Sequence, residues 1–521
     1  MTNHIDKTDV IIVGSGAAGS LMAAKLSEAG KKVTILEAGP ERRLEDLTSS
    51  QIHARRLKWG GDPVEENGKQ PIGNVFNSGY GTGGSALHHY AVWPRLHGED
   101  FKVKSLYNRA FDWPIDYDDI RPYYDRIQQE VGISGDHTAE IWRPEGDAYP
   151  LPPVPAFQQS EVIARGFAKL GKQTSPLPLA VNSRDYQGRP ACLWDGWCDA
   201  GCPTRALASP LAHYLPKAIK QDVNIIHNAA AARILTDKSG KKAIGVKYHD
   251  KDGAEIILMA DMVVLAAYAI QNPRLLLNSA DGGLANRSGL VGAYIMSHAA
   301  ALVYGLFDQE TAPYMGATGG QMLNQDSYDH KDQRTQGFGS FQWMIAQAVK
   351  PNDLLGYGGS NPGLYGAKLT EFMARAAHHF GTMTACVEDL PLPENRVSLS
   401  SNKDRFGIPL AHAHHTSHAD SYALWRGAKQ EGIEIFKAAG ATEFWNGPLG
   451  PMHIMGGTIM GDTAENSVTN SYGQCHDIDN LFIAGPGLFP TSGGVNPTFT
   501  VHALTLRSSE YILNNWSGVI S

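Results

Sequence analysis

Two rhythms of apolar and polar positions run along this chain. Asp9-Val10-Ile11-Ile12-Val13 is a β-branched run, the pattern of a strand buried on both faces of a parallel sheet. Small residues follow at once in Gly14-Ser15-Gly16-Ala17-Ala18-Gly19, then a helix-like segment from Ser20 to Ala29 with Gly30 as its stop. A second strand, Lys32 to Leu36, ends at Glu37. Phe111-Asp112-Trp113-Pro114-Ile115-Asp116-Tyr117 opens a predicted helix that reaches Val131, with aspartates placed to cap it. Later the rhythm shortens. Ala301 to Phe307 and Val397 to Leu399 alternate with period two and predict an antiparallel sheet.

Composition narrows the class. Charged residues are 19% and hydrophobic ones 42% of 521 residues, an ordinary globular mix long enough for more than one compact unit. The formal net charge is −8 with no basic run, which argues against nucleic acid as a partner. The longest apolar stretches, such as Met262 to Ile270, are about half of what a membrane-spanning helix needs. Only eight residues precede the first strand, too few for a cleavable export signal, so none is expected. Five cysteines are too few for a disulfide framework. Cys386 and Cys475 are isolated and read as packed thiols.

The glycine turn between the first strand and helix has a physical purpose. Small residues let backbone N–H groups approach a pyrophosphate at a helix N-terminus. Glu37, eighteen residues beyond Gly19, stands where a carboxylate binds both ribose hydroxyls of an adenosine and repels a 2′-phosphate. The turn alone does not separate FAD from NAD.

Four segments together resemble the glucose–methanol–choline oxidoreductase family. They are Glu37-Ala38-Gly39-Pro40; Gly81-Thr82-Gly83-Gly84-Ser85-Ala86-Leu87-His88; Asp261 to Ser279, with Pro273-Arg274-Leu275-Leu276-Leu277; and Ile478 to Pro486. The resemblance spans Asp9 to about Leu513 and implies FAD as the cofactor. It implies a discontinuous α/β FAD-binding Rossmann-type domain from 1–100, 205–300 and 450–521. A segment at 101–204 and an α+β substrate domain with an antiparallel sheet at 301–449 complete the expected fold. FAD contacts are implied at Gly14 to Gly19, Glu37, Ala38, Gly83, Gly84, Ser85, His88, Ala231, Gly485, Pro486, Asn496, Pro497 and Thr498. His88 sits where pyranose oxidases attach their flavin covalently; here a non-covalent contact or packing is expected, because its neighbours differ. Asn278-Ser279-Ala280-Asp281 and Tyr268 depart from the glucose-oxidase pattern. They resemble the branch of bacterial glucose, fructose, sorbitol and gluconate dehydrogenase large subunits and glycoside 3-dehydrogenases.

Alcohol oxidation needs a base with a pKa near neutrality, a task suited to histidine. Pro451-Met452-His453-Ile454-Met455-Gly456-Gly457-Thr458 resembles the family segment carrying that base. Ser492-Gly493-Gly494-Val495-Asn496-Pro497-Thr498 resembles the segment supplying a second active-site group. The resemblance assigns His453 as base and Asn496 as the group that hydrogen-bonds the substrate oxygen. A further group, His412, His414, His415 and His418, would place His414 and His418 on one helical face beside Asp420, as in a metal site. Gly407 and Pro409 point instead to a loop or strand edge, so a solvated or packed cluster is expected.

Cys192, Cys198 and Cys202 have the spacing C-x5-C-x3-C and end in Cys-Pro. Three thiolates suit an iron–sulfur cluster better than a closed zinc site, which takes four ligands. A zinc site completed by a distant histidine, or three unlinked thiols, remain open from spacing. The segment resembles the [3Fe–4S] site of bacterial FAD-dependent glucose dehydrogenase. That resemblance implies a dehydrogenase acting on a sugar, glycoside or polyol, with a cytochrome c or quinone as electron acceptor. It also implies a small subunit bearing a twin-arginine signal, and hence a periplasmic location by co-export. Three other readings stand beside it: a soluble sugar or glycoside 3-oxidase using oxygen, a lyase with structural FAD, and an electron-transfer module.

Overall fold

The computed structural model describes residues 7–521 apart from 59 and 335. The strand Lys7–Val13 lies between Val33–Leu36 and Glu255–Leu265, parallel to both, with Val10 to Val13 in register with Val33 to Leu36. Asn224–Ile226 extends this sheet beyond the second strand, and Leu481–Ile483 pairs parallel to Glu255–Leu265. Ala230–Thr236 and Ala243–His249 close it as antiparallel strands. Val10, Ile11 and Ile12 have no exposed surface, because the helices Ala17–Glu28 and Thr498–Asn514 belong to the same core. The unbroken apolar run is thereby explained.

The turn into the first helix depends on glycine. Gly14 has φ +102°, and a Cβ there would crowd the Ala266 carbonyl. A Cβ at Gly19 would overlap the carbonyl oxygen of Gly14 itself. The helix therefore begins three residues earlier than its apolar pattern predicts, at Ala17.

A second sheet is antiparallel throughout. Met296–Leu306 is its long central strand, flanked by Phe380–Val387 and by Glu443–Asn446 and Gly450–Met455, all antiparallel. Phe341–Ile345, Met322–Asn324 and Ser175–Pro176 complete it. The 21-residue helix Ala419–Ala439 packs on one face, burying Leu424, Trp425, Ala428, Ile435 and Phe436. Val397 to Leu399 does not join this sheet. Its strand, Arg396–Lys403, pairs with Pro409–His414 and then Glu65–Asn67 in a separate three-stranded sheet, whose buried side faces the helix Tyr268–Ser279. Local alternation shows one covered face but not which layer covers it.

The expected helix runs Tyr117–Val131, with the Asp116 side chain accepting the Asp119 N–H. Gly19→Ala is expected to cost about 1–3 kcal/mol, because its methyl has no room against the Gly14 carbonyl. The measurements are thermal melting and flavin content of the purified protein; wild-type values for both would contradict the packing argument.

Candidate active site

A cavity of about 690 Å³ opens between the two sheets, within the range of small-molecule sites. Its lining brings together Gly14 to Ala18, Glu37, Ala38, Gly84, Ser85, His88, Ala231, Gly485, Pro486, Asn496, Pro497 and Thr498, with His453. Gly19 and Gly83 do not line it. Gly19 packs behind the turn, and the Gly83 N–H donates to Ser15 Oγ at 3.1 Å, tying the second glycine-rich stretch to the first.

Glu37 is almost fully buried and holds this cradle in shape. Its Oε2 accepts from the Ser15 N–H (3.1 Å) and Ser15 Oγ (2.5 Å), and its Oε1 accepts from the Gly39 N–H (2.9 Å). His88 is buried on the cavity wall. Among the described residues its Nε2 has no partner, and burial pushes the imidazole down to about 3.

His453 owes its aim to a bulge. The strand Gly450–Met455 pairs Met452 with His298 and Ile454 with Ser297, so His453 is the extra residue, with φ +58°. A non-glycine residue in the left-handed region at a bulge is a strained position that re-aims a side chain. The ring faces Asn496, whose Nδ2 lies 3.2 Å from His453 Nε2. Two segments 43 residues apart in sequence thus meet in one hydrogen bond.

Proton positions follow from one backbone carbonyl. Gly493 O can only accept, so His298 Nε2, 2.8 Å away, donates. Burial pushes His298 down to about 4, so at neutral pH its Nδ1 carries no proton. His453 Nδ1, 3.0 Å from that nitrogen, must then donate, leaving His453 Nε2 as the lone pair. Asn496 agrees from the other side. Its Oδ1 accepts from Gln342 Nε2 at 2.9 Å, so its Nδ2 faces His453. Burial and the neighbouring His298 hold His453 well below the ordinary histidine range. His298, Gln342 and Cys386, whose Sγ is 3.3 Å from His298 Nδ1, were invisible to motif reading.

The three clustered cysteines lie outside the cavity. Cys198 and Cys202 are buried and Cys192 partly so, in an apolar cluster shared with Tyr90, Ala91, Val92, Met344 and Met452. Those five residues also line the cavity. Trp194 N–H donates to Cys192 Sγ (3.3 Å) and Leu207 N–H to Cys202 Sγ (3.4 Å). Trp194, Gly196, Gly201 and Cys202 all have positive φ, which winds the loop so that amides turn inward. Burial and the nearby Cys202 push the Cys198 thiol up to about 12. Thiolates here call for a cation.

The four-histidine group separates. His412 and His414 lie on the strand Pro409–His414, His414 Nδ1 being 2.7 Å from Asn67 Oδ1. His415 Nε2 is 2.9 Å from Asp389 Oδ2, and His418 caps the following helix. Of the four only His415 is buried, and among the described residues they gather no metal-ligand set.

GMC oxidoreductase family models match residues 8–300 and 391–505. The chain belongs to the GMC oxidoreductase family. It is an FAD-dependent oxidoreductase acting on CH–OH donors, and its two-domain fold is the GMC fold. It is 31% identical to the fructose dehydrogenase large subunit of Gluconobacter japonicus, over 99% of each chain. It is 32% identical to 2-methyl-1,2-propanediol dehydrogenase of Mycolicibacterium austroafricanum, over 100% of this chain and 98% of that one. A solved formate oxidase from Aspergillus oryzae shares the fold, with TM-score 0.70 at 15% identity over 99% of each chain. Among the described residues, no helix is long and apolar enough to cross a membrane.

Buried neutral histidines are expected to make this GMC enzyme acid-sensitive. Burial holds His298 and His502 at about 4, whereas the unfolded chain titrates near 6.5. Between these values the unfolded chain binds more protons. Their contribution is therefore whole above about pH 6.5 and is lost as pH falls through that window, by up to roughly 1.4 kcal/mol per unit each. Melting of the holoenzyme is expected to fall steadily below about pH 6.5, and less steeply in H502Q; an unchanged Tm down to about pH 4.5 would contradict this.

Proposed function

We propose that this protein is a dehydrogenase that oxidises a hydroxyl group of a sugar, glycoside or polyol to a carbonyl, with His453 as the base. The observation that carries the reading is the 3.2 Å approach of His453 Nε2 to Asn496 Nδ2 on the wall of the cavity that the glycine turn also lines. FAD, when bound against Gly14 to Ala18, Glu37 and Gly84 to His88, supplies the acceptor for the hydride leaving the alcohol carbon.

The chain's own residues move the proton. His453 Nε2 accepts it from the substrate hydroxyl as the carbon–hydrogen bond breaks. The second N–H of Asn496 Nδ2 is free of His453 and donates to the substrate oxygen. His298 Nδ1 accepts from His453 Nδ1 throughout, so it holds the tautomer and stabilises the imidazolium that forms.

Cys192, Cys198 and Cys202 would hold a [3Fe–4S] cluster, which would supply one-electron transfer to a cytochrome c or quinone. The apolar cluster they share with Tyr90 and Met452 on the cavity wall supports this placement, as do the amides turned toward their sulfurs. Large-subunit relatives support a small subunit as partner. Export with that subunit to the periplasm, and the division at 1–100, 205–300 and 450–521 against 101–204 and 301–449, are part of the same proposal.

An anaerobic flavin-bleaching screen across sugars, glycosides and polyols, with iron analysis of the same sample, tests the reading. Bleaching by one of these classes and about three irons per flavin are expected; stoichiometric peroxide with no iron would establish an oxidase instead. With the substrate so found, His453→Ala should slow flavin reduction about a hundred- to ten-thousandfold with FAD retained. His298→Ala should slow it by roughly tenfold or more, and His298→Gln should restore much of the rate, because its amide can accept from His453 and donate to Gly493. Equal rates in both His298 variants would sink its positioning role.

A further inference from the structure

Proton transfer as described leaves one neighbouring side chain unused. Cys386 lies on the strand Phe380–Val387, which pairs with the strand bearing His298, and that strand pairs in turn with the one bearing His453. Its Sγ is 3.3 Å from His298 Nδ1 and 3.9 Å from His453 Nδ1, and those two nitrogens are 3.0 Å apart. Three ligand-type atoms from three adjacent strands therefore close a small triangle. In a tetrahedral zinc site, Zn–N near 2.0 Å and Zn–S near 2.3 Å separate two nitrogens by about 3.3 Å and nitrogen from sulfur by about 3.6 Å. The two sulfur–nitrogen edges bracket their value, and the nitrogen–nitrogen edge lies about 0.3 Å inside its own. Among the described residues, no other group of three histidine, cysteine or acidic side chains brings its ligand atoms so close.

We propose that His298, Cys386 and His453 form a binding site for a thiophilic divalent cation, Zn²⁺ or Cd²⁺, whose occupancy switches the base off. A thiolate and two imidazoles are the donor set such ions favour. The inhibition follows from which nitrogen the ion takes. His298 Nδ1 is already a lone pair, so His298 binds without giving up its Nε2–H bond to Gly493 O. His453 must bind through Nδ1, the nitrogen that carries its proton. That proton moves to Nε2, the Cys386 thiol proton leaves for solvent, and each ion bound releases one proton with no change in oxidation state. With hydrogen on Nε2, His453 cannot accept a proton from an alcohol. Reach is available, because His453 lines the cavity from which the ion would enter. The inhibition rests on His453 being the base; the binding does not.

Cd²⁺ titration of the purified holoenzyme tests both halves, comparing wild type with Cys386→Ser and His298→Gln. Bound cadmium is measured by equilibrium dialysis, and thiolate coordination by its ultraviolet charge-transfer absorption. Flavin reduction by an alcohol that bleaches the wild type is followed in parallel. The expected result is one more ion in wild type than in either variant, with the charge-transfer band present only in excess in wild type. Flavin reduction in wild type should fall at least tenfold and recover on chelation, while added Cd²⁺ leaves each variant at its own starting rate. Equal cadmium content in wild type and Cys386→Ser overturns the site, as does equal inhibition of both. One extra ion with undiminished flavin reduction upholds the site and overturns the base assignment. Cys386→Ala, checked by thermal melting and flavin content, replaces Cys386→Ser if the serine variant does not fold.

Discussion

The carbonyl oxygen of Gly493 can only accept a hydrogen bond, and the proposed active-site chemistry is ordered by that fact. It places the proton of His298 on Nε2, and a neutral imidazole has one proton to place. Direction then passes along the chain without choice: His298 Nδ1 accepts, His453 Nδ1 donates, and His453 Nε2 is left bare toward Asn496. From the opposite end Gln325 donates to Gln342 at 3.1 Å and Gln342 to Asn496 at 2.9 Å, so the amides arrive in a consistent orientation. Desolvation keeps both histidines neutral: a charge here would lose its hydration, and for His298 that loss outweighs the pull of Asp389 and Asp100.

Such a chain works only if Gly493 stays where it is. The segment before Asn496 is anchored by a buried ion cluster in which Lys331 Nζ lies 2.7 Å from both Asp100 and Glu388. Tyr328 donates its hydroxyl to Asp100 at 2.8 Å and accepts the Gly494 N–H at 3.1 Å. Ser492 Oγ donates to the Asp389 carbonyl and accepts the Asp389 N–H. Removing one member of a buried charge cluster typically costs about 3–5 kcal/mol, because its partner's charge is left buried and unpaired. The cradle at the other end of the cavity is equally self-consistent: Glu37 binds Ser15, and Ser15 binds Gly83.

Features written in contiguous residues were legible from sequence. Val10 to Gly19 dictates strand, turn and helix by local rules alone, and Asp116 announces the helix it caps. His453 and Asn496 were found because each sits inside a recognisable short segment; their 3.2 Å approach was not deducible from spacing. His298 escaped notice for a physical reason. It follows Ser297 at the start of the largely apolar strand Met296–Leu306, and strand pairing, not neighbouring sequence, brings it to His453. Cys386 is the same case: isolated in sequence, it reads as a packed thiol, and its strand is indeed buried at every position. Val397 to Leu399 shows the converse limit: its alternation is real, but its partner layer is the helix Tyr268–Ser279 and not the large roof sheet.

The proposed electron exit and the proton relay meet at one wall of the cavity. Met452, adjacent to His453, packs in the same apolar cluster as Cys198 and Cys202. Substrate deprotonation on one side of that wall and electron removal on the other need not share any moving part. The central claim is the placement of a single proton, and neutron diffraction from deuterium-exchanged holoenzyme crystals reads it directly. Deuterium on His453 Nδ1 and His298 Nε2, with His453 Nε2 bare, is the predicted result. Deuterium on His453 Nε2 in the absence of substrate would contradict the account.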